Sequence, residues 1–364
     1  MAMSARADSP PLDFAEIRSD VEAVLDGFLA AKTHVGAGGG RAVADEGAET
    51  LRAFLSGGGK RMRPILCAVG WCAGGGGPLP PQVLRVAGSL EMFHAFALIH
   101  DDLMDCSSSR RGRPTVHRAL SARYRPGRTA EAADQLGANA AMLIGDLALA
   151  WSDELLHTAG LTAGELARVL PVVDAMRTEV MYGQYLDLTS TGHPTPDVDR
   201  SLAISRYKTA KYTVERPLHI GAILADAGPP VLSALSAFAL PAGEAFQLRD
   251  DLLGVYGDPA ATGKPALDDL RDGKATALIA LALRRASSAQ ISEVRPLLGC
   301  PTLTEAQAEV ARGVISDTGA RARVEDMIRV RHEKAVQALR NADLPTEAVE
   351  YLTDIARLLV ERDQ

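Results

Sequence analysis

The chain has 364 residues, 47% hydrophobic and 23% charged, which excludes global disorder and leaves enough apolar material for a large core. A net charge of -7 gives no basis for nucleic-acid binding by bulk electrostatics. Four cysteines without a CxxC pair argue against a disulfide scaffold and fit a reducing, cytoplasmic compartment.

Aromatic residues make up only 4%, and the abundance of Ala, Leu, Val and Arg favours helices over sheets. Residues 1–12, with two prolines, read as a flexible tail ahead of a single domain over 13–364. The N-terminus lacks the apolar run of a secretory signal. From Phe14 the apolar positions Phe14, Ile17, Val21, Val24, Leu25, Phe28 and Leu29 follow helical spacing. After Gly36–Gly40 a short helix leads to Gly57-Gly58-Gly59-Lys60-Arg61-Met62-Arg63-Pro64, and a further apolar segment ends at Gly74–Gly77. Both glycine runs read as surface loops. Pro81 suits the first turn of a long helix reaching Asp105. The stretch Ser121–Glu131 reads as an irregular excursion. Helices are then expected near 130–158, 163–187, 197–211, 213–227, 230–256, 274–288, 304–318, 319–341 and 345–362. No segment alternates as strands do. The longest membrane candidate, Ala138 to Trp151, is too short and is interrupted by Asp146, so no membrane span is expected. The expected architecture is an all-α single bundle around a central active-site cavity.

Chemistry concentrates in three places. Asp101 and Asp105 of His100-Asp101-Asp102-Leu103-Met104-Asp105 stand one helical turn apart. Like charges at that spacing, at a helix C-terminus, repel one another and invite a cation. Hard oxygen ligands with room left for phosphates suit Mg²⁺. Phe246-Gln247-Leu248-Arg249-Asp250-Asp251 repeats the pattern on a second helix. Two such pairs can face each other across a bundle. Around them stand cations: Lys60, Arg61, Arg63, Arg110, Arg111, Lys208, Lys264 and Lys274. Arg and Lys beside flexible glycines are diphosphate readers.

In this order the motifs resemble those of the trans-isoprenyl diphosphate synthases. The landmarks are Gly58 to Pro64, Asp101 to Asp105, Arg110-Arg111-Gly112, Gly183-Gln184 with Asp187, Lys208-Thr209, Gln247 with Asp250-Asp251, Gly263-Lys264 and Lys274. The resemblance runs from Phe14 to the last helix. It implies condensation of isopentenyl diphosphate with an allylic diphosphate, three Mg²⁺ ions per site and a homodimer. It assigns Asp101, Asp105 and Asp250 to the metals, with Asp102 and Asp251 beside them. Arg110, Lys208 and Lys264 would hold the allylic diphosphate, and Lys274 and Gln184 would belong to the substrate-binding set. Lys60, Arg63, His94 and Arg111 would hold isopentenyl diphosphate, and Thr209 and Gln247 would lie near the developing cation.

One position departs from the pattern: Gly254 stands where a third acid of the second motif is expected. Asp258 follows, but Pro259 takes it out of the helix. Product length is read from the first aspartate helix. Phe96 lies roughly 7.5 Å and Phe93 roughly 12 Å below Asp101, and Ala97 is small. An aromatic at the fifth position resembles synthases making geranylgeranyl diphosphate (C20), with farnesyl diphosphate (C15) next. Two competing readings are a class I terpene cyclase and a weakly active partner subunit of another synthase.

Overall fold

A computed structural model describes residues 12–33, 40–257 and 267–361. The expected tail, the glycines of 36–39, Asp258 and Lys264 lie outside the described residues. The described residues are predominantly helical, as the composition favours. Helix α1 (Phe14–Lys32) starts where the Asp13 carboxylate accepts the N–H groups of Ala15 and Glu16, and buries Ile17, Val21, Leu25 and Leu29. Next come α2 (Gly40–Leu55), α3 (Met62–Ala73) and α4 (Pro81–Met104). Gly74–Gly77 is a surface loop, as expected, anchored where the Trp71 indole N–H donates to Gly77 O at 2.8 Å.

After α4 the chain makes a two-stranded hairpin, β1 (Ser109–Arg110) with β2 (Arg113–Pro114). Its two turn residues, Arg111 and Gly112, both have positive φ (53° and 72°), the requirement of a tight two-residue hairpin turn. Strands of two residues are too short to show alternation, which is why the sequence reads as strand-free. The supposed excursion at 121–131 is largely helical: α5 (Val116–Tyr124) ends and α6 (Ala130–His157) begins within a few residues, capped by Thr129. Helix α7 (Ala163–Leu188) opens with a Thr162–Glu165 capping box.

The helices expected at 197–211 and 213–227 are one continuous rod. α8 (Val198–Ile204) passes into a π-helical segment (Ser205–Glu215) and then into α9 (Arg216–Leu224). Pro217, which has no N–H, opens α9 directly after the wide turns. Two neighbours leave room for this wider backbone. A Cβ on Gly183 of α7 would lie 2.4 Å from Lys208 N, and one on Gly243 would lie 2.5 Å from Ala210 Cα.

Helix α10 (Pro229–Tyr256) is followed by α11 (Asp268–Asp272), α12 (Ala277–Arg285) and α13 (Ser288–Val294). The helix expected over 274–288 is present but shorter, as α12. Gly273 (φ 64°) ends α11, and Thr276 restarts the helix by accepting Ile279 N–H. α13 starts at a Ser287–Gln290 capping box. α14 (Glu305–Asp317), α15 (Ala320–Arg340) and α16 (Thr346–Val360) complete the fold.

Packing is dominated by α4 on α6, α10 on α15 and on the π segment, and α3 on α9. α10 belongs to two apolar clusters, with Leu235 and Phe238 in one and Leu248 and Leu252 in the other. The two helices most apolar over a membrane-spanning length are α4 and α10, not the 138–151 stretch. More than half of α4's apolar window (61%) and half of α10's (50%) is covered by other helices, as core helices are.

Gly183→Ala and Gly243→Ala each force a methyl against the π-segment backbone. Each is expected to lower stability by about 1–3 kcal/mol, read from urea unfolding, and to depress activity because Lys208 and Thr209 ride on that segment. Unchanged stability in both would show that the close approach is not required.

Candidate active site

The C-terminal end of α4 and the C-terminal half of α10 carry the two aspartate pairs, and Asp269 relates them: Lys274 joins it to Asp105, and its charge acts on Asp251. Cations from three other elements already pair with the first. Lys208, on the π segment, places Nζ 3.0 Å from Asp101 Oδ1 and 2.6 Å from Asp187 Oδ2 of α7. Arg110, on β1, grips Asp102 through Nε and Nη2 at 2.7–2.9 Å and reaches Asp101 Oδ2 at 3.4 Å. Lys274, between α11 and α12, contacts Asp105 Oδ2 at 3.0 Å and Asp269 Oδ1 at 4.0 Å.

These pairs decide the charge states. Burial alone would raise the Asp101 carboxyl, but Lys208, Lys274 and Arg110 together hold it well below the usual carboxylate range. Burial likewise opposes charge on Lys208 and Lys274. The facing carboxylates, Asp101 and Asp187 for the first and Asp269 and Asp105 for the second, outweigh it and raise both lysines. Asp251 behaves oppositely. Burial pushes it up to about 7, with the charges of Asp269 and Asp250 adding to the shift, although Gln247 donates to it at 2.9 Å. Thr209 Oγ1 donates to Gln247 Oε1 at 2.5 Å, so Thr209, Gln247 and Asp251 form one chain of hydrogen bonds.

A second cationic group lies beside the glycine turn before α3. Gly59 (φ 144°) has the Arg111 guanidinium 2.9 Å from where a Cβ would stand, so a side chain there would displace it. Arg63 donates to Thr213 Oγ1 at 2.6 Å and stacks 4.2 Å above the Tyr212 ring. Lys60 is exposed at the same turn. His94 Nδ1 is 3.2 Å from the Tyr212 hydroxyl. Burial, then Arg63, Arg110, Arg111 and Arg61, push the His94 pKa well down, which keeps the imidazole neutral. Beneath them Arg61 donates to Glu91 at 2.8 Å in a buried ion pair.

Below Asp101 the α4 face is aromatic. Phe93 and Phe96 have ring centroids 5.2 Å apart, Phe96 lies 4.8 Å from His100, and Phe93 lies 5.8 Å from Tyr212. Phe93 is sealed at 1% exposure while Phe96 retains 9%. Ala97 is half-buried on the same helix. Gln184 on α7 places its amide N 3.8 Å from the Met104 sulfur.

Sequence reasoning thus located the two aspartate pairs and the cations Arg110, Lys208 and Lys274 that the fold brings together. It did not single out Asp187, Glu91, Tyr212, Thr213 or Asp269 as site residues. Asp187 was visible only as a landmark after Gly183-Gln184. The others carry no local signal, because their partners come from distant segments.

Among the described residues no three His, Cys, Asp or Glu side chains converge closely enough to enclose a metal. The donors at hand are carboxylates on facing helices. That set fits Mg²⁺, which keeps water and takes substrate phosphate oxygens rather than an all-protein cage.

Comparison with known proteins agrees with this arrangement. The profile of the Polyprenyl synthetase family matches residues 45–315. The chain is similar to the geranylfarnesyl diphosphate synthase of Aeropyrum pernix, 33% identical over 85% of this chain and 92% of that one. It is 32% identical to the geranylgeranyl diphosphate synthase of Mycobacterium tuberculosis, over 78% and 74% of the two chains. Among solved structures it resembles a Corynebacterium glutamicum geranylgeranyl pyrophosphate synthase complexed with isoprenyl diphosphate and magnesium. There the TM-score is 0.91 and the identity 39%, over 97% of this chain and 100% of the other. With the family profile covering most of its length, the chain belongs to the polyprenyl synthetase family of prenyltransferases.

Proposed function

We propose that this prenyltransferase condenses isopentenyl diphosphate with an allylic diphosphate to give all-trans geranylgeranyl diphosphate, with farnesyl diphosphate as the next candidate product. The observation that carries the reading is the meeting of Asp101, Asp105, Lys208 and Lys274 across one cleft, beside a separate cationic pocket at Gly59. One cleft with carboxylates and cations suits a metal-bound diphosphate. A second pocket of cations without facing aspartates suits a diphosphate that is not ionised.

In this reading Asp101, Asp105 and Asp250 hold Mg²⁺, with Asp102 and Asp251 supporting them, and three ions serve each site. When bound, the metal would neutralise charge on the departing diphosphate. The chain's own groups do the rest. Lys208, Arg110 and Lys274 exchange carboxylate partners for diphosphate oxygens, and Lys264, outside the described residues, joins them on the diphosphate. Such preorganised cations stabilise the negative charge that develops as the allylic C–O bond breaks. Lys60, Arg63, Arg111 and the neutral His94 orient isopentenyl diphosphate so that its double bond faces the allylic carbon. Thr209 and Gln247 present oxygen dipoles toward the electron-poor carbon. The proton lost after C–C bond formation goes to the departed diphosphate. Phe96, backed by Phe93, closes the cavity below, and the apolar wall keeps water from the cation.

The exposed large apolar residues concentrate on neighbouring helices: Met142 and Leu143 on α6, Met181, Tyr182 and Tyr185 on α7. Arg177 of α7 ties the two helices together through Asp153 at 2.5 Å. An apolar face of this kind supports a homodimer, working in the cytoplasm. Sedimentation of the purified chain is expected to give twice the monomer mass, and Leu143→Glu with Tyr182→Glu to give the monomer; a monomeric wild type rejects the dimer.

Purified protein supplied with Mg²⁺, labelled isopentenyl diphosphate and C5, C10 or C15 allylic primers is expected to yield labelled C20 diphosphate. Unlabelled cyclic hydrocarbon would mean a cyclase. No incorporation by the folded chain would mean a subunit that depends on a partner. Phe96→Ala is expected to lengthen the product, whereas an unaltered product spectrum would reject Phe96 as the floor. Phe93→Ala, by contrast, is expected chiefly to cost about 3–5 kcal/mol of stability, read from chemical unfolding.

A further inference from the structure

Gly254 deprives the second aspartate motif of an acid one turn beyond Asp250, yet its place in space is not empty. A Cβ built on Gly254 would lie 1.8 Å from Asp269 Oδ2 and 2.7 Å from the Asp269 carboxyl carbon. No larger residue fits at 254 while Asp269 keeps its position. A carboxyl group rooted at 254 would begin one bond from that Cβ. The carboxylate of α11 therefore fills the volume that a side chain on α10 would otherwise claim.

Asp269 is also tied to the opposite wall of the cleft. Lys274 Nζ stands between Asp105 Oδ2 (3.0 Å) and Asp269 Oδ1 (4.0 Å). One ammonium thus bridges the third acid of the first motif and the carboxylate at Gly254. The backbone fixes this relation, because Lys274 N–H donates to Asp269 O at 3.0 Å, and Gly273 adopts the left-handed turn (φ 64°) between them. The Asp269 side chain keeps 25% of its surface open, enough to meet a solvated ion.

We propose that Asp269 supplies, from α11, the carboxylate that the second motif lacks at Gly254, completing with Asp250 the acidic set that holds Mg²⁺ and diphosphate. The inference rests on the metal-dependent prenyltransferase reading and assigns this chain's own residue within it. The glycine is then a clearance for Asp269 rather than a loss of function. Because Asp269 and Lys274 share one short turn, metal and diphosphate are held by a single structural unit.

The test follows thermal unfolding of the purified chain as Mg²⁺ is titrated with inorganic diphosphate present. Asp269→Asn is isosteric and is expected to fold with its metal-free Tm retained. It should require about ten- to a hundredfold more Mg²⁺ for half of the stabilisation, the usual cost of losing a supporting metal-site partner. Gly254→Asp alone is expected to lower the metal-free Tm, since two carboxylates then compete for one volume. Gly254→Asp combined with Asp269→Gly should bring the Mg²⁺ requirement back toward that of wild type. An unchanged requirement in Asp269→Asn overturns the assignment, as does a folded double variant that recovers nothing. If Asp269→Asn does not fold, the same titration on Asp269→Ala decides. A wild type with no Mg²⁺-dependent shift overturns the metal-dependent reading itself, which separates that failure from failure of the Asp269 assignment alone.

Discussion

Like charges on facing helices are the constraint around which this molecule is arranged. Asp101 and Asp105 repel each other one turn apart at a helix C-terminus, where the backbone carbonyls already present negative partial charge. Asp101 and Asp102 are buried or nearly so. An α4 that ended this way in isolation would fray. It persists because three cations arrive from three separate elements: Arg110 from the hairpin, Lys208 from the π segment and Lys274 from the turn after α11. The less regular parts of the fold are the parts that deliver these cations.

That dependence explains why the irregular elements are tightly built. The Arg111-Gly112 turn places Arg110 and Arg111 on opposite sides of a hairpin, one toward the aspartates and the other over Gly59. The π segment widens the helix where Lys208 and Thr209 face different partners, Asp101 with Asp187 on one side and Gln247 on the other. Gly183 and Gly243 admit it. The cations neutralise these carboxylates through contacts already in place, and groups preorganised in this way need little rearrangement to meet charge that develops beside them.

What could be read from the sequence was whatever has a local signature. Composition, helical periodicity, Gly and Pro punctuation and the two aspartate pairs pointed to the all-α class, to most of the helices and to the aspartate residues of the site. The π segment was invisible because a few widened turns barely alter apolar spacing, so the chain near Tyr212 read as a break. The hairpin failed for the opposite reason: two-residue strands have no period at all. Asp269 and Glu91 were missed because their meaning comes from Gly254 and Arg61, which meet them only after folding. Gly254, read from sequence as a defect, changes sense once the Asp269 carboxylate is seen against it.

The aromatic pair below Asp101 and the second cationic group share a support in Tyr212. Tyr212 stacks under Arg63, lies 3.2 Å from His94 and meets the edge of Phe93. Burial holds its phenol up at about 12, so the hydroxyl keeps its proton and stays available to hydrogen-bond with His94. Removing Phe93 would loosen Tyr212 and, through it, the Arg63 guanidinium. Phe96 contacts Phe93 and His100 instead, and among the described residues no ring or ion contact links it directly to Arg63 or Tyr212. A change at Phe96 therefore leaves the contacts of Arg63 and His94 in place. The two rings thus differ in their partners within one turn of α4, where the sequence distinguishes them only by their depth below Asp101.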